Sequence, residues 1–491
     1  MSNSIVINSF QGWLANDRNV GQEWSFWNSK NIEFRRNSAY VELAKWVRTL
    51  FSISAGTATP RAMTFWGTGW TITTDIVLFT SNWVYTSAGQ QSVTAGIINV
   101  WEANSAKYFV TSTQIFSYTN PSTNALLDTF NATTEYRPMI DWFWDLIIGN
   151  GTNIARLNEW TSVLVDYTSG ATNGTIGWLD GTIYALTAVG TNIYIWCNNW
   201  TNTNLYIWDG ASASPSQVIK YTDKPVMNVA QIANMHYWWS AKSNQSIREV
   251  LIGESYQPQL YIKSDYPDDI TTTPDIERNR MAVYVENSAY TNAIETIGDI
   301  IYLPWSSRIF WFGRYFPWQP YSLSTEFGYT GTYINCMTSW GMTGWIQDAG
   351  WMLAFCARNG SNFDVNLINL GQDATALPVI YAESGTIETM EYLAPSFADW
   401  EANKKILMAF DLPHSSTSIK VHYKMDRATS YTELDTINTT KYGTGYSVAE
   451  LQLVWQWRTI QFKFELITTN TVYTPKLYTW ITNISDTVWR K

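Results

Sequence analysis

The sequence is short of charge. Asp, Glu, Lys and Arg make up 15% of its 491 residues, against roughly 25% in ordinary soluble domains. Disordered chains are charged and poor in aromatics, so an aromatic share of 16% argues for a packed protein. Positive charge is the scarcer sign: 31 Lys and Arg stand against 41 Asp and Glu, for a net charge of −10. The densest basic stretches are pairs such as Arg35-Arg36 and Lys404-Lys405, which disfavours nucleic-acid binding through a basic face. Three scattered cysteines, Cys197, Cys336 and Cys356, support neither a disulfide framework nor a zinc site built from close pairs. No apolar run approaches the ~20 residues of a membrane-spanning helix. The opening Met1 to Asn8 has no basic region followed by a secretory apolar stretch. The expectation is a soluble protein made in a cytoplasm, without membrane insertion, and long enough for two or three domains.

What the chain has in excess is tryptophan: 28 residues, as many as its 28 glycines. Most of the sequence consists of short apolar or alternating runs separated by Gly, Asn, Thr, Ser and Pro. Thr182 to Val189, Asn192 to Cys197 and Asn204 to Trp208 read as three successive strands closed by the turn pair Asp209-Gly210. Similar runs recur at 71–79, 97–101, 108–118, 145–157, 249–263, 299–315 and 351–370. Helical periodicity is almost absent, with Tyr40 to Leu50 the one helix candidate. The fold class is therefore all-β.

Residues 51–382 hold run after run of this kind, and propeller blades of the best-known type repeat every ~40 to 45 residues, which predicts a β-propeller of about seven blades. No fixed residue signature aligns from blade to blade, and a pair of sandwiches is the structural alternative. Residues 404–491 read more cleanly. Ile406, Met408, Phe410 and Leu412 alternate with their neighbours, as do Ile419, Val421, Tyr423 and Met425, and Ile460, Phe462, Phe464 and Leu466. With the run from Leu477 to Ile484 these predict a small C-terminal β-sandwich with one wet face per sheet. Residues 383–403 read as a linker, and residues 1–50 as a segment closing or leading into the propeller.

The two ends carry a resemblance. Ile7-Asn8-Ser9-Phe10-Gln11-Gly12-Trp13, Trp24-Ser25-Phe26 and Asn31-Ile32-Glu33-Phe34-Arg35, together with the late Thr474-Pro475-Lys476-Leu477, resemble the ends of a loose class of tailed-phage propeller proteins. Those proteins tend to open with Asn-x-Phe-x-Gly-Gly, Gly-x-Phe and an Asn-hydrophobic-acid-hydrophobic-Arg strand, and to close with a small β-domain carrying Thr-Pro-x-Leu. The resemblance covers the ends and the overall plan. It implies a structural virion protein of the tail or neck, not an enzyme, assembled in the host cytoplasm. Its implied partners are other virion proteins, with homo-oligomerisation in the particle.

Departures from that pattern concern tryptophan. Trp13 and Trp24 stand where the class tends to have glycine. Asn82-Trp83 and Asn199-Trp200 stand where Asn-Gly would make a type I′ turn, with φ > 0 at both central residues. Pro304-Trp305, Pro317-Trp318, Trp340-Gly341, Gly344-Trp345 and Gly350-Trp351 add to the pattern. One reading is that many of these tryptophans are glycines in the living protein, encoded by UGA and translated with a table that reads UGA as Trp. Trp208 and Trp480 are then candidates for real tryptophans. The alternatives are that all are genuine, packed like Trp101 or Trp455, or that exposed indoles stack on sugars in a glycan-binding or glycan-cleaving propeller used for host attachment.

Catalytic marks are scarce. His422 alternates onto the polar face of a strand, His414 lies in a Pro-His-Ser-Ser turn, and His236 reads as a partly buried strand residue. There is no Gly-x-Ser-x-Gly elbow, His-Glu-x-x-His helix or phosphate-binding loop. The acidic stretch Asp265-Tyr266-Pro267-Asp268-Asp269 with Asp275 and Glu277 could hold Ca²⁺ or supply a glycosidase carboxylate pair, but it lacks the EF-hand spacing and reads as a solvated loop. The sequence therefore assigns no catalytic, cofactor-binding or metal-binding residue.

Overall fold

The computed structural model describes residues 3–7, 26–33, 40–56, 58–65, 76–91, 96–103, 106–120, 123–143, 145–158, 163–166, 176, 179–199, 202–221, 229–232, 235–240, 246–251, 259–263, 294–305, 308–313, 322–328, 334–340, 352–370, 380–393, 404–426, 428–453 and 458–484. Four short strands come first: β1 (Asn3–Ile7), β2 (Phe26–Lys30), β3 (Ile32–Glu33) and β4 (Val41–Leu43). β5 (Arg48–Ser54) follows. Blade 1 comprises β6 (Pro60–Phe65), β7 (Ile76–Thr80), β8 (Val84–Thr86) and β9 (Gly89–Gln91). Blade 2 comprises β10 (Ile97–Ala103), β11 (Ala106–Thr111), β12 (Gln114–Asn120) and β13 (Thr123–Thr129). Blade 3 comprises β14 (Met139–Trp142), β15 (Asp145–Asn150), β16 (Asn153–Asn158) and β17 (Val163–Asp166).

Blade 4 comprises β18 (Thr182–Val189), β19 (Asn192–Asn198), β20 (Thr203–Trp208) and β21 (Gln217–Tyr221). Blade 5 comprises β22 (Val229–Ile232), β23 (Met235–Ser240), β24 (Ser246–Leu251) and β25 (Gln259–Lys263). Blade 6 comprises β26 (Glu295–Ile297), β27 (Ile300–Trp305), β28 (Arg308–Gly313) and β29 (Ser322–Gly328). Blade 7 takes β30 (Ile334–Trp340), β31 (Met352–Asn359) and β32 (Asn362–Asn369) from late in the ring and β5 from its start. The chain is thus a seven-bladed propeller, its first and last parts joined within one sheet, where β5 pairs with β32 from Ser54↔Asn362 to Arg48↔Leu367.

The middle strands of a blade are dry on both faces because each sheet packs between two others, whereas outer strands such as β13 are largely exposed. β15 and β20 are buried at every residue, so their sequences read as apolar runs rather than alternations. The repeat lies in backbone geometry. The first strands of blades 1, 2, 4 and 7 each carry a register shift against the second strand, at Pro60/Ala62, Ile97/Asn99, Ile183/Ala185 and Ile334/Cys336. The residues passed over, Arg61, Ile98, Tyr184 and Asn335, share no chemistry, which is why no signature aligns by eye. Hairpin loops repeat as well. Gly151-Thr152, Gly190-Thr191, Gly298-Asp299 and Gly360-Ser361 are two-residue connections. Each glycine has φ between 57° and 70°, the left-handed region that a primed hairpin turn requires.

Among the described residues, the remaining strands are β33 (Ser384–Thr389), β34 (Tyr392–Leu393), β35 (Lys404–Leu412), β36 (Thr417–Met425), β37 (Thr432–Asn438), β38 (Gly445–Leu453), β39 (Thr459–Thr468) and β40 (Lys476–Ile484), accompanied in the same region by the short helix α1 (Thr439–Tyr442). They build two six-stranded sheets, β3-β4-β40-β35-β38 with β1 on β40, and β2-β33-β39-β36-β37 with β34 on β39. Ile406, Met408, Phe410, Leu412, Ile419, Val421, Phe462, Phe464 and Leu466 are fully buried in one core, as their alternation predicts. β2 and β3 also lie against β29 of blade 6.

Three expectations are corrected. Tyr40 to Leu50 is not helical: Val41 and Leu43 put an extended chain into the sandwich core, and β5 begins at Arg48. Residues 1–50 do not simply lead into the ring, since β1 to β4 belong to the sandwich and only β5 closes a blade. Residues 383–403 are not all linker. β33 fills the sheet between β2 and β39, and Gly385 is essential there, because a Cβ would lie 2.4 Å from the Asn31 carbonyl oxygen. The two crossings between ring and sandwich run side by side, with Trp46 N donating to Ile380 O and Ala382 N to Ala44 O.

Candidate axial site

The first strands β6, β10, β14, β18, β22, β26 and β30 contact one another in succession around the ring. They enclose a cavity of about 440 Å³ to which all seven blades contribute. Polar groups take a large share of its lining, with Thr64, Asn99, Glu102, Thr338 and Ser339 beside Met63, Met139, Leu186 and Met337, and these last four are mostly buried between blades. Tyr184, the residue passed over at the blade-4 register shift, also faces it and packs on Tyr136 at 4.3 Å between ring centroids. Burial pushes the Tyr184 phenol up to about 12, helped by Tyr136 and Glu135, so it stays neutral across the physiological range.

Polar side chains tie neighbouring blades together around this cavity. Trp101 of β10 donates from Nε1 to Asp141 Oδ1 on β14 at 2.7 Å. Lys107 of β11 reaches back to blade 1, donating to Phe65 O at 2.8 Å, and also pairs with Glu102. Asn99 Nδ2 donates to Arg137 O at 2.9 Å, and Gln231 Nε2 to Ala188 O at 2.9 Å. Arg137 itself is 2% exposed. It stacks on Phe130 and donates to the carbonyls of Thr111, Ser112 and Ala132 and to Asn150 Oδ1. A buried guanidinium is tolerable only when its donors are used, and here they join blades 2 and 3.

Glu295 is the exception. It opens β26, lines the cavity and keeps part of its surface open to it. Ser339 Oγ on β30 donates to its Oε1 at 2.6 Å, and among the described residues no cation lies against it. Protein surrounds the carboxyl on every side but the cavity. That burial pushes it from the ordinary carboxylate range up to about 7, against the opposing hydrogen bonds from Ser339.

The histidines behave as ordinary strand and turn residues. His414 Nδ1 meets Ser416 Oγ at 2.9 Å and its ring stacks on Tyr473 at 4.3 Å. His422 Nε2 lies 3.5 Å from Glu465 Oε2, and His236 pairs with Val250 in blade 5. Residues 265–277, the acidic stretch, lie outside the described residues. Among the described residues, no group of three His, Cys, Asp or Glu side chains is placed to hold a metal, and no helix is long and apolar enough to cross a membrane. Cys336 and Cys356 are direct cross-strand partners in blade 7, fully buried, and burial drives the Cys356 thiol far up. The sequence spacing of these two gave no sign of their pairing.

The tryptophans divide. Trp208 is fully buried and donates from Nε1 to Ser212 O at 2.8 Å. Trp480 pairs with Met408 and Ile7 in the sandwich. Trp83 does not occupy a type I′ turn. Thr80 Oγ1 accepts from Trp83 N at 2.9 Å and donates to Trp83 O, and blade 2 repeats the arrangement with Thr111 and Gln114. Positive φ outside glycine occurs at Asn31, Phe143 and Asp426 and at no tryptophan among the described residues. The steric case for glycine therefore fails at Trp83. Trp305 sits at a strand end opposite Arg308 and Trp340 opposite Met352. Trp13, Trp24, Trp200, Trp318, Trp345, Trp351 and Trp455 lie outside the described residues.

No protein-family model matches the chain, and no curated protein does either. Among solved structures, the WD40 repeats of RRP9 are similar over 67% of this chain and 99% of theirs, at 8% identity and a TM-score of 0.43. The Dos1 propeller is similar over 71% of this chain and 95% of its own, at 11% identity and 0.40. The computationally designed Ika8 protein covers 66% of this chain over its full length, at 9% identity and 0.39.

Proposed function

We propose that the chain is a non-enzymatic structural component of a tailed-phage virion, in the tail or neck, acting as an assembly and interaction scaffold for other virion proteins. The observation that carries this reading is that the described parts of the segments behind the phage resemblance, Ile7, Phe26, Asn31–Glu33 and Thr474–Leu477, all lie in the sandwich. Ile7 pairs with Trp480, and Ile32 pairs with Leu43. Val41 in turn pairs with Leu477, and Thr474 Oγ1 accepts from Leu43 N at 2.9 Å. Described residues more than 400 positions apart in the sequence thus share one sheet. With the ring also sealed by β5 and β1 paired with β40, the ring and the sandwich are tied by early and late strands alike, which suits a part that must keep its shape while loops and edges meet neighbours.

The test is mass spectrometry of particles purified through a density gradient, together with assembly of particles lacking the gene. Peptides of this chain in intact virions and defective tails or necks in its absence are the expected result. Normal infectious particles without the protein contradict the proposal. Release of sugar from host envelopes by the purified chain contradicts its non-enzymatic part and favours the glycan-directed alternative. The recoding reading belongs with this proposal and predicts UGA codons at Trp13 and Trp24, where the resembled class has glycine; UGG at both removes it.

A further inference from the structure

We propose that Cys336 and Cys356 form an oxidation site: a dithiol in blade 7 that closes to a cross-strand disulfide and locks together the two inner strands of the blade that seals the ring. The inference stands on blade 7 alone and does not depend on a virion role.

Position is the first argument. The chain holds three cysteines in 491 residues, and two of them are direct partners across β30 and β31. Residues directly opposite one another in an antiparallel pair have Cα atoms about 4.5–5.5 Å apart, inside the range of about 4.4–6.8 Å that a disulfide spans. The strands therefore need no change of register to be joined. Cys336 directly follows the residue passed over at the blade-7 register shift, and a bulge of this kind re-aims the side chain beside it.

Surroundings decide when the pair can react. Both side chains are fully buried where blade 7 meets blade 1, in a cluster with Met63, Phe65 and Leu78 from blade 1 and Met352, Val365 and Leu367 from blade 7. A thiol by itself in such a place is a small apolar filler. Cys197 is that case, fully buried in blade 4 with Ile183 and Asn204 as its strand partners. The blade-7 pair differs in having a second thiol within reach. Burial drives the Cys356 thiol far up, and the Cys336 thiol beside it adds to the rise, so Cys356 stays protonated and inert while the junction is closed. Reaction waits on local opening of that junction, and the product is buried again when it closes.

The oxidant is a small disulfide. In the opened state one cysteine loses its proton and attacks a sulfur of the oxidant, which leaves a mixed disulfide and releases one small thiolate. The second cysteine, also deprotonated, attacks the protein sulfur of that intermediate. The bond between Cys336 and Cys356 forms, and the other half of the oxidant leaves. Two protein thiols lose two electrons, one small disulfide is reduced to two thiols, and the two protons pass to the leaving thiolates. A reducing compartment keeps the pair open, and an oxidising one locks the blade.

The probe is oxidised glutathione, applied to the full chain a few degrees below its unfolding transition so that opening does not limit the reaction. The protein is then unfolded in excess iodoacetamide and its peptides are analysed by mass spectrometry. The expected result is a linked pair of peptides carrying Cys336 and Cys356, with Cys197 alone alkylated, whereas untreated protein shows all three cysteines alkylated. The linked protein should unfold about 5 °C higher than the reduced one, and Cys336→Ala should abolish that gain. Three alkylated cysteines after oxidation overturn the proposal. So do glutathione adducts at Cys336 and Cys356 without a link, a link to Cys197, or a thermal gain retained by folded Cys336→Ala.

Discussion

β35 in the sandwich and β15 in blade 3 are both strands of antiparallel sheets, yet they are written in different sequence languages. β35 alternates: Ile406, Met408, Phe410 and Leu412 are fully buried, while Leu407, Ala409 and Asp411 face the other side. β15 is buried at every position, including Asp145 and Asn150. The cause is layer number. A sandwich sheet has one dry face, and the middle strands of a blade have two, so the propeller must bury polar groups where strands end and blades meet, and must satisfy them there. Arg156 Nε donates to Asp145 Oδ2 at 2.7 Å and Asn158 Nδ2 to Oδ1 at 3.0 Å; Arg137 serves the next junction. The sandwich is held mainly by apolar packing, and the ring by packing together with buried polar ties.

The largest expected effect comes from removing what both regions share. Deletion of residues 1–54 takes β5 from blade 7 and β1 to β4 from the sandwich, so neither region should show a cooperative unfolding transition, and limited proteolysis should degrade both. Next, Phe464→Ala removes a fully buried ring at the centre of the sandwich and should cost about 3–5 kcal/mol in denaturant titration. Arg137→Met keeps the bulk but strips its donors from several carbonyls, and should cost about 3 kcal/mol. A smaller loss there than for a surface arginine would refute the distinction between apolar and polar cohesion.

A smaller effect concerns pH. Because the folded-state pKa of Glu295 is raised to about 7, the native state holds a proton that the unfolded chain has lost between about pH 4.5 and 7. Its contribution to stability is full below that window and falls as pH rises through it. Glu295→Gln should flatten this part of the stability profile. The smallest effect is at Trp83, which is 39% exposed and has no left-handed backbone to relieve: Trp83→Gly should shift stability by less than about 1 kcal/mol, whereas Trp208→Gly should cost at least about 3 kcal/mol.

These two regions also explain what the sequence disclosed. The sandwich core is visible in the sequence because its period-two alternation survives. Blade 4 was legible strand by strand, since its strands are apolar runs ended by Gly190-Thr191 and Asp209-Gly210. The blade repeat was hidden, because it resides in register shifts at Arg61, Ile98, Tyr184 and Asn335, and backbone geometry leaves no shared side chain to count. The pairing of β5 with β32 joins segments more than 300 residues apart and has no local signature. The same holds for Glu295: a single acid before Thr296-Ile297-Gly298 looks like any strand start, and only the packing of blade 6 on blade 7 sets it against Ser339 on the cavity wall. Asn82-Trp83 is not a type I′ turn, because Thr80 builds that turn with its side chain, an option that the likeness to Asn-Gly passes over.

Closure of the ring by β5 is the claim on which the seven-blade count, the axial cavity and the clasped ends all depend. It can be tested with Ser54→Cys and Asn362→Cys together. Both residues are exposed and directly paired across the β5–β32 seam. Under mild oxidation the account predicts an intramolecular disulfide joining the two peptides in mass spectra of the folded protein. A folded, fully oxidised double variant in which these cysteines stay unlinked would contradict it.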